Sequence, residues 1–202
     1  MIKKNIHKSY IKELQRRGVL TADTMFIPKK STLRLEEVFE RKRFRKVVIK
    51  PAISAGAYET HLVSREEAEI FNPVAARILE YADLMIQDYI EEVETEGEYS
   101  LVFFNGEYSH AVLKMAEKGE FRTQPEFGGS IQSVKPPADL IDIAYEINDS
   151  LGFDTLYSRV DGIMSNDEFK LIELEMFEPR LYFAQNEKSV KRFVEAVIER
   201  VG

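Results

Sequence analysis

"KLIELEMFEP", residues 170–179, sets glutamates at 173, 175 and 178 among large apolar side chains. Ionised carboxylates are costly to bury, so an acid kept inside such a run needs a compensating partner. Read as a strand, alternation places Glu173 and Glu175 on one face, about 6.6 Å apart along the chain. Upstream lies a second apolar run, "TLYSRVDGIM" (155–164), and Asn166-Asp167 is a turn short enough to predict an antiparallel pair. Asp161 then neighbours both glutamates. Two readings stand side by side. One is ordinary alternation on a half-solvated strand; the other is a three-carboxylate site for magnesium or manganese, whose hard-oxygen preference suits these donors.

The segments around this pair read as short strands mixed with helices. Residues 6–17 pattern as a helix with Ile6, Tyr10, Ile11 and Leu14 on one side and Gly18 as its stop. "VLTADTMFIP" (19–28) reads as an extended or loop segment. A helix opening after Ser31 or Thr32 buries Leu35, Val38 and Phe39. "KVVIKP" (46–51) is a β-branched strand, Ser54–Ala57 a tight turn of small residues, and Tyr58–Val63 the returning strand. Ser64 and Glu67 have capping-box spacing, and Asn72-Pro73 is expected to cap and open a new helix running to about Tyr81. "LMIQDYI" (84–90) is a buried strand. "YSLVFF", Asn105-Gly106 and "EYSHAVLKM" form the clearest hairpin. Residues 117–137, rich in glycine and proline, read as a long binding or covering loop. Helices are expected over 138–151 and 188–200, the last burying Val190, Phe193, Val194, Val197 and Ile198. Strands dominate the middle of the chain, which favours mixed sheets with helices on one side over a parallel doubly wound fold.

Composition narrows the function. Of 202 residues, 35 are acidic and 28 are Lys or Arg, a formal charge of −7 that argues against general nucleic-acid binding. The basic run Arg41, Lys42, Arg43, Arg45 and Lys46 follows Glu36, Glu37 and Glu40 and reads as a solvated helix face. There is no cysteine, hence no disulfide, thiolate or sulfur-ligated metal, in keeping with a reducing cytoplasm. No segment has the apolar length of a signal peptide or membrane span, so a cytoplasmic protein is the default expectation. His7, His61 and His110 have no metal-ligand spacing and suggest no Ser-His-Asp constellation.

Lys50 ends a buried strand just before the turn Ser54, Ala55, Gly56 and Ala57. A lysine there offers a point charge to phosphate, and a glycine-containing loop lets backbone N–H groups approach the same anion. Walker spacing is absent. Lys114 and Arg159 sit in otherwise apolar strands, where each either snorkels or pairs with an acid.

The order of "HKSYIKELQRRGV", "VVIKPAISAGAYET", "MIQDYIEEVETEGEYSLVFFNGEYSHAVLK", "LYSRVDGI" and "KLIELEMFEP" resembles the ATP-grasp superfamily, in particular its glutathione-synthetase-like carboxylate-amine or carboxylate-thiol ligases. The resemblance implies an α+β fold of two mixed lobes with antiparallel sheets enclosing a nucleotide cleft. Residues 1–30 would form a linker and helix joining the core, 31–90 the small lid-side lobe, and 91–202 the large lobe with the metal site. It implies ATP and magnesium (or manganese) as cofactors, with Lys8 and Lys50 as nucleotide lysines beside Ser54, Ala55 and Gly56. Gln87, Asp88, Tyr89 and Ile90 match the segment beside adenine, and Glu98 the ribose acid. Lys114 and Arg159 match the basic residues attending the transferring group, and Asp161, Glu173 and Glu175 the metal ligands. At the last of these the family commonly has asparagine. Glu178-Pro179 matches the turn closing that strand, and Arg122 with Gly128-Gly129 a substrate-side loop. The implied reaction transfers the γ-phosphoryl group to a small-molecule carboxylate and lets an amine or thiol attack the acyl phosphate. The alternatives are a nucleotide-binding module without turnover and a non-catalytic interaction domain. Relatives carry an α/β domain ahead of the first lysine, so the resemblance leaves room for a homodimer or a partner chain supplying it.

Overall fold

A computed structural model describes residues 2–202, which divide into two compact units. The smaller holds His7–Lys12 and Thr21–Ile90; the larger holds the residues up to Ile6, Glu13–Leu20 and Glu91–Gly202. The chain opens with α1 (Ile2–Asn5) and α2 (Tyr10–Arg16), with a turn where one helix over 6–17 was expected. The break has a local cause: Lys8 N–H donates to Ala52 O (2.9 Å) and Ser9 N–H to His7 Nδ1 (3.1 Å), so both leave the helical ladder. Tyr10, Ile11 and Leu14 are buried as their spacing predicts, whereas Ile6 is exposed.

The smaller unit continues with β1 (Thr24–Ile27), α3 (Leu35–Lys42), β2 (Lys46–Pro51), β3 (His61–Ser64), α4 (Ala68–Tyr81) and β4 (Leu84–Asp88). Its sheet runs β1-β4-β2-β3, antiparallel throughout. The segment read as a loop supplies edge strand β1, with Met25 and Ile27 packed on the core. Positive φ at Gly56, Ala57 and Glu59 prolongs the turn after β2, so the return strand starts at His61 rather than Tyr58. The capping box at Ser64 and Glu67 is present, but Pro73 lies inside α4 and opens no new helix. Asn72 serves the neighbouring helix instead: its Oδ1 accepts the Leu35 N–H (2.9 Å) at the start of α3, where Arg34 provides no side-chain cap. Leu35, Val38, Phe39, Val47, Ile49, Ile78, Leu84 and Ile86 form the core between sheet and helices.

The larger unit contains β5 (Glu98–Phe104), β6 (Glu107–Met115), β7 (Ser130–Val134), α5 (Ala138–Asp149), β8 (Tyr157–Ser165), β9 (Glu168–Glu175) and α6 (Ser189–Val201). Its antiparallel sheet runs β7-β6-β5-β8-β9. Asn105 and Gly106, both at positive φ, turn the β5-β6 hairpin. Strand β7 falls inside the expected loop; its exposed Ser130, Gln132 and Ser133 leave too few apolar residues for a strand signal. One sheet face meets α5, where Phe103 lies 5.2 Å edge-on from Tyr145. The opposite face is divided. Val102, Phe104 and Val112 pack with Phe193 and Ala196 of α6, and the remainder carries ionised side chains. Only part of the apolar face of α6 is used: Val190, Val194 and Ile198 are exposed, against the expectation that all would be buried.

Candidate functional site

Pairing fixes the large unit's polar face. Glu98 lies opposite Lys114, Ser100 opposite Asp161, Asp161 opposite Glu173, and Arg159 opposite Glu175, all on one side of four adjacent strands. A bulge between Asp161 and Gly162 shifts the β8-β9 register beside the acids. Gly162 is required there, because a Cβ would stand 2.6 Å from Lys170 O and 2.3 Å from the Phe169 ring.

Arg159 is the hub. Its Nε and Nη2 donate to Asp161 (2.8 and 2.6 Å), Nη2 also to Glu175 Oε1 (2.6 Å), and Nη1 to Arg180 O (3.0 Å). The Tyr182 ring lies under the guanidinium, 5.4 Å from its centroid to Cζ. Ser100 Oγ donates to Asp161 Oδ1 (2.6 Å), and Lys114 Nζ donates to Glu98 Oε1 (2.7 Å) while standing 3.9 Å from Asp161. Thr123 Oγ1 closes the row on Glu98 Oε2 (2.8 Å).

Burial opposes the Asp161 charge, but Arg159 and Lys114 outweigh it and hold its carboxyl down to about 2. Burial likewise opposes the charges of Lys114 and Arg159, and their acids outweigh it, raising both pKa values. Glu175 goes the other way: burial, with Glu173 and Asp161 nearby, pushes it up to about 8 despite Arg159, whose charge Asp161 already claims.

Asp161, Glu173 and Glu175 therefore neighbour one another in register, with donor chemistry suited to a hard cation. Their side chains do not gather: among the described residues no group of three His, Cys, Asp or Glu is placed to hold a metal ion. Arg159 occupies Asp161 and Glu175 instead.

In the smaller unit, Lys8 is buried in the turn after α1, and its Nζ donates to Ser54 O (2.8 Å) in the expected phosphate loop. Ser54 Oγ donates to Pro51 O (3.1 Å). Lys50 and Gln87 share the sheet face opposite α3 and α4, where Gln87 lies opposite Val48 and Lys50 opposite Met85, two residues further along the pair. Gln87 is buried, and its amide donates to Thr24 Oγ1 (3.1 Å). In the segment expected beside adenine, Asp88 N–H is taken by Asp23 O (2.8 Å) and Tyr89 N–H by Lys46 O (3.1 Å). Ala55 and Gly56 are exposed, and Ile90 is buried.

One histidine lies between a serine and an aspartate, an arrangement its spacing in the sequence did not suggest. His7 bridges Ser9 Oγ (2.8 Å from Nδ1) and Asp83 Oδ2 (3.2 Å from Nε2). The same Nδ1 accepts the Ser9 backbone N–H, so the ring closes a local turn rather than presenting an activated hydroxyl. Sequence reasoning also missed Ser100, Thr123 and Tyr182. Ser100 meets Asp161 across the β5-β8 pair, which no local turn specifies. Tyr182, in the left-handed region at φ +52, carried no sequence signal.

Residues 20–180 match the family described as prokaryotic glutathione synthetase, ATP-grasp domain. This chain belongs to that family. The ATP-grasp chain is 28% identical, over 213 aligned residues, to the cycloserine biosynthesis protein DcsG of Streptomyces lavendulae, covering 97% of itself and 70% of that protein. It superposes on the crystal structure of D-cycloserine synthetase DcsG with a TM-score of 0.89 at 26% identity, covering 100% of this chain and 72% of that one. D-alanine–D-alanine ligase from Bacillus anthracis, crystallised with ATP, gives 0.69 at 19% identity over 96% of this chain and 65% of that one, a likeness of fold alone. Among the described residues, no helix of the ATP-grasp chain is long and apolar enough to cross a membrane.

Proposed function

We propose that the chain is an ATP- and magnesium-dependent ligase that activates a small carboxylate as an acyl phosphate and passes the acyl group to an amine. The observation that carries this reading is the charged row on one sheet face, in which Lys114, Asp161 and Arg159 are buried and Glu98 and Glu175 half-buried. A fold does not need two cations and three acids there, whereas phosphoryl transfer needs fixed charge where negative charge develops.

In this scheme Lys8, Lys50 and the Ser54–Gly56 loop serve the phosphates, and Gln87–Ile90 the base. Glu98 takes the ribose, and Lys114 and Arg159 balance charge on the group in transit. Asp161, Glu173 and Glu175 have the donor chemistry for magnesium but would hold it only once Arg159 leaves the two acids it pairs, and the ion would supply neutralisation of phosphate oxygens. The carboxylate oxygen attacks the γ-phosphorus and ADP leaves. The amine then attacks the acyl carbon, phosphate leaves, and the nitrogen gives up its proton. Similarity to a cycloserine biosynthesis protein supports an amino-acid-sized substrate. A cysteine-free composition supports a cytoplasmic site of action.

Calorimetric titration with magnesium and ATP tests the reading. Wild type should bind saturably, and Lys50→Ala and Glu173→Ala should each weaken binding by about tenfold or more, in keeping with a charge-assisted contact. Identical isotherms for all three proteins would overturn the assignment, as would ADP release that is indifferent to every carboxylate and amine offered.

A further inference from the structure

The side-chain amide of Asn5, in α1, is buried and makes two hydrogen bonds to β9: Nδ2 donates to Leu174 O (2.8 Å) and Oδ1 accepts the Met176 N–H (2.9 Å). Those two backbone groups flank a single residue, Glu175. In a strand, the carbonyl before a residue and the N–H after it point to the same edge, and an edge that a side chain occupies is the one β8 leaves open. β9 is the last strand of its sheet, so Asn5 stands where the peptide group of a further strand would stand. Its amide offers the same donor and acceptor as a peptide, which makes it a two-point substitute for one. Further back on β9, Leu171 N–H donates to Leu20 O (2.9 Å). Glu173 thus lies between two ties and Glu175 inside the second.

Glu175 stands at the place where a strand is weakest. It is the last residue of β9, and Arg159-Glu175 is the last rung of the β8-β9 pair. Three residues on, Glu178 is at φ +57 and the chain has left the sheet. Strand ends open at little free-energy cost, and a peeled end would carry the Glu175 carboxylate out of the row it shares with Arg159 and Asp161. Leu174 and Met176 are both buried and also hold the strand down. Apolar burial is non-directional, however, and tolerates a slide that two hydrogen bonds do not.

We propose that Asn5 is a positioning residue: by holding the peptide groups on either side of Glu175, its amide fixes that carboxylate in the charged row. The proposal rests on the ligase reading above and adds to it the support of one acid, supplied from the other end of the chain. An acid meant for a cation has to be held within about 0.5 Å of its working position, and residues behind it do the holding.

The test is calorimetric titration of the full chain with magnesium and ATP. Asn5→Leu, close in volume and unable to make either bond, should weaken binding by about tenfold or more, as when the support of a metal ligand is removed. Asn72→Ala, which loses a helix cap in the smaller unit, controls for lost stability and should bind as the wild type does. The deciding measurement repeats Asn5→Leu in a Glu175→Ala background. A residue that acts through Glu175 has nothing left to position there, so the second substitution should change affinity by less than about twofold. If Asn5→Leu does not fold, Asn5→Gln takes its place; it keeps both polar groups on an arm one methylene longer and should show the same pattern at smaller size. Wild-type affinity in the folded Asn5 variant overturns the proposal. Losses that multiply in the double variant overturn it too, because Asn5 then supports only the fold. The ligase reading fails differently: the wild type itself would not bind magnesium-ATP, and this inference would fall with it.

Discussion

In the smaller unit, the sheet meets its helices through Val47, Ile49, Leu84 and Ile86, all fully buried, while ion pairs such as Lys42 with Asp23 and Arg77 with Glu59 stand at the solvent-facing edge. In the larger unit, Lys114, Arg159 and Asp161 are buried on the sheet itself. Apolar burial stabilises at about 25 cal/mol per Å², whereas a buried ion pair roughly repays its own desolvation. The first sheet is thus organised as a core, and the second gives part of one face to charge that stability does not require. Glu175 marks the difference most sharply, since burial first, and the neighbouring Glu173 and Asp161 after it, push the acid up to about 8 even within reach of Arg159.

The largest expected effect breaks that contrast directly. Arg159→Ala leaves the buried Asp161 without its guanidinium and should cost about 3–5 kcal/mol in urea unfolding. Replacing Arg159, Asp161 and Glu175 together by apolar residues of similar size should be near neutral or stabilising by about 1–4 kcal/mol, while abolishing magnesium-ATP binding. If the triple variant were as unstable as the single one, the charged row would be a structural element and the contrast between the sheets would fail. Next in size is Gly162→Ala. The added methyl meets Lys170 O and the Phe169 ring where the register shifts, and should cost about 1–3 kcal/mol. Wild-type unfolding by that variant would mean the bulge can absorb a side chain and does not fix the acids.

How far the sequence revealed this depended on the range of the interaction. The β5-β6 hairpin and the β8-β9 pair were legible because Asn105-Gly106 and Asn166-Asp167 are local turn signals flanked by apolar runs. Continued without a break, the β8-β9 register would set Asp161 opposite Ile172; the bulge between Asp161 and Gly162, which carries no local signal, brings it opposite Glu173 and sets Arg159 opposite Glu175. Strand β7 was illegible because an edge strand with Gln132 and Ser133 exposed looks like loop. The split of α1 from α2 depends on Ala52, more than forty residues away, accepting the Lys8 N–H. The exposed stripe of α6 has a core-like sequence pattern, and periodicity cannot say which of two apolar flanks is covered. Within the candidate site, residue types were readable but partners were not: nothing local shows that Arg159 would occupy two of the three acids.

Asn72 makes the same point in the smaller unit with a smaller effect. Its side chain caps α3 from α4, so Asn72→Ala should cost about 1 kcal/mol by orphaning the Leu35 N–H, and should leave magnesium-ATP binding intact. A loss of binding instead would mean that this unit's core is tuned to its ligand as tightly as the charged sheet.

The smallest effect is a slope, and it asks whether the apolar half of the large sheet responds to pH apart from the ionic half. His110 lies on β6 with Nε2 3.0 Å from Leu181 O and its ring beside Phe104. Burial pushes its pKa below the usual 6.5, and nearby Arg192 acts in the same direction. The unfolded chain therefore binds the proton more readily than the folded one. Stability from this group is fully present above about 6.5 and is lost as pH falls through that value toward the depressed folded pKa. Urea midpoints at pH 7.5 and 5.5 should differ less in His110→Gln than in wild type, because the variant lacks the titrating ring. Equal differences would place the acid sensitivity elsewhere, and the carboxylates of the charged row would then be the groups to examine.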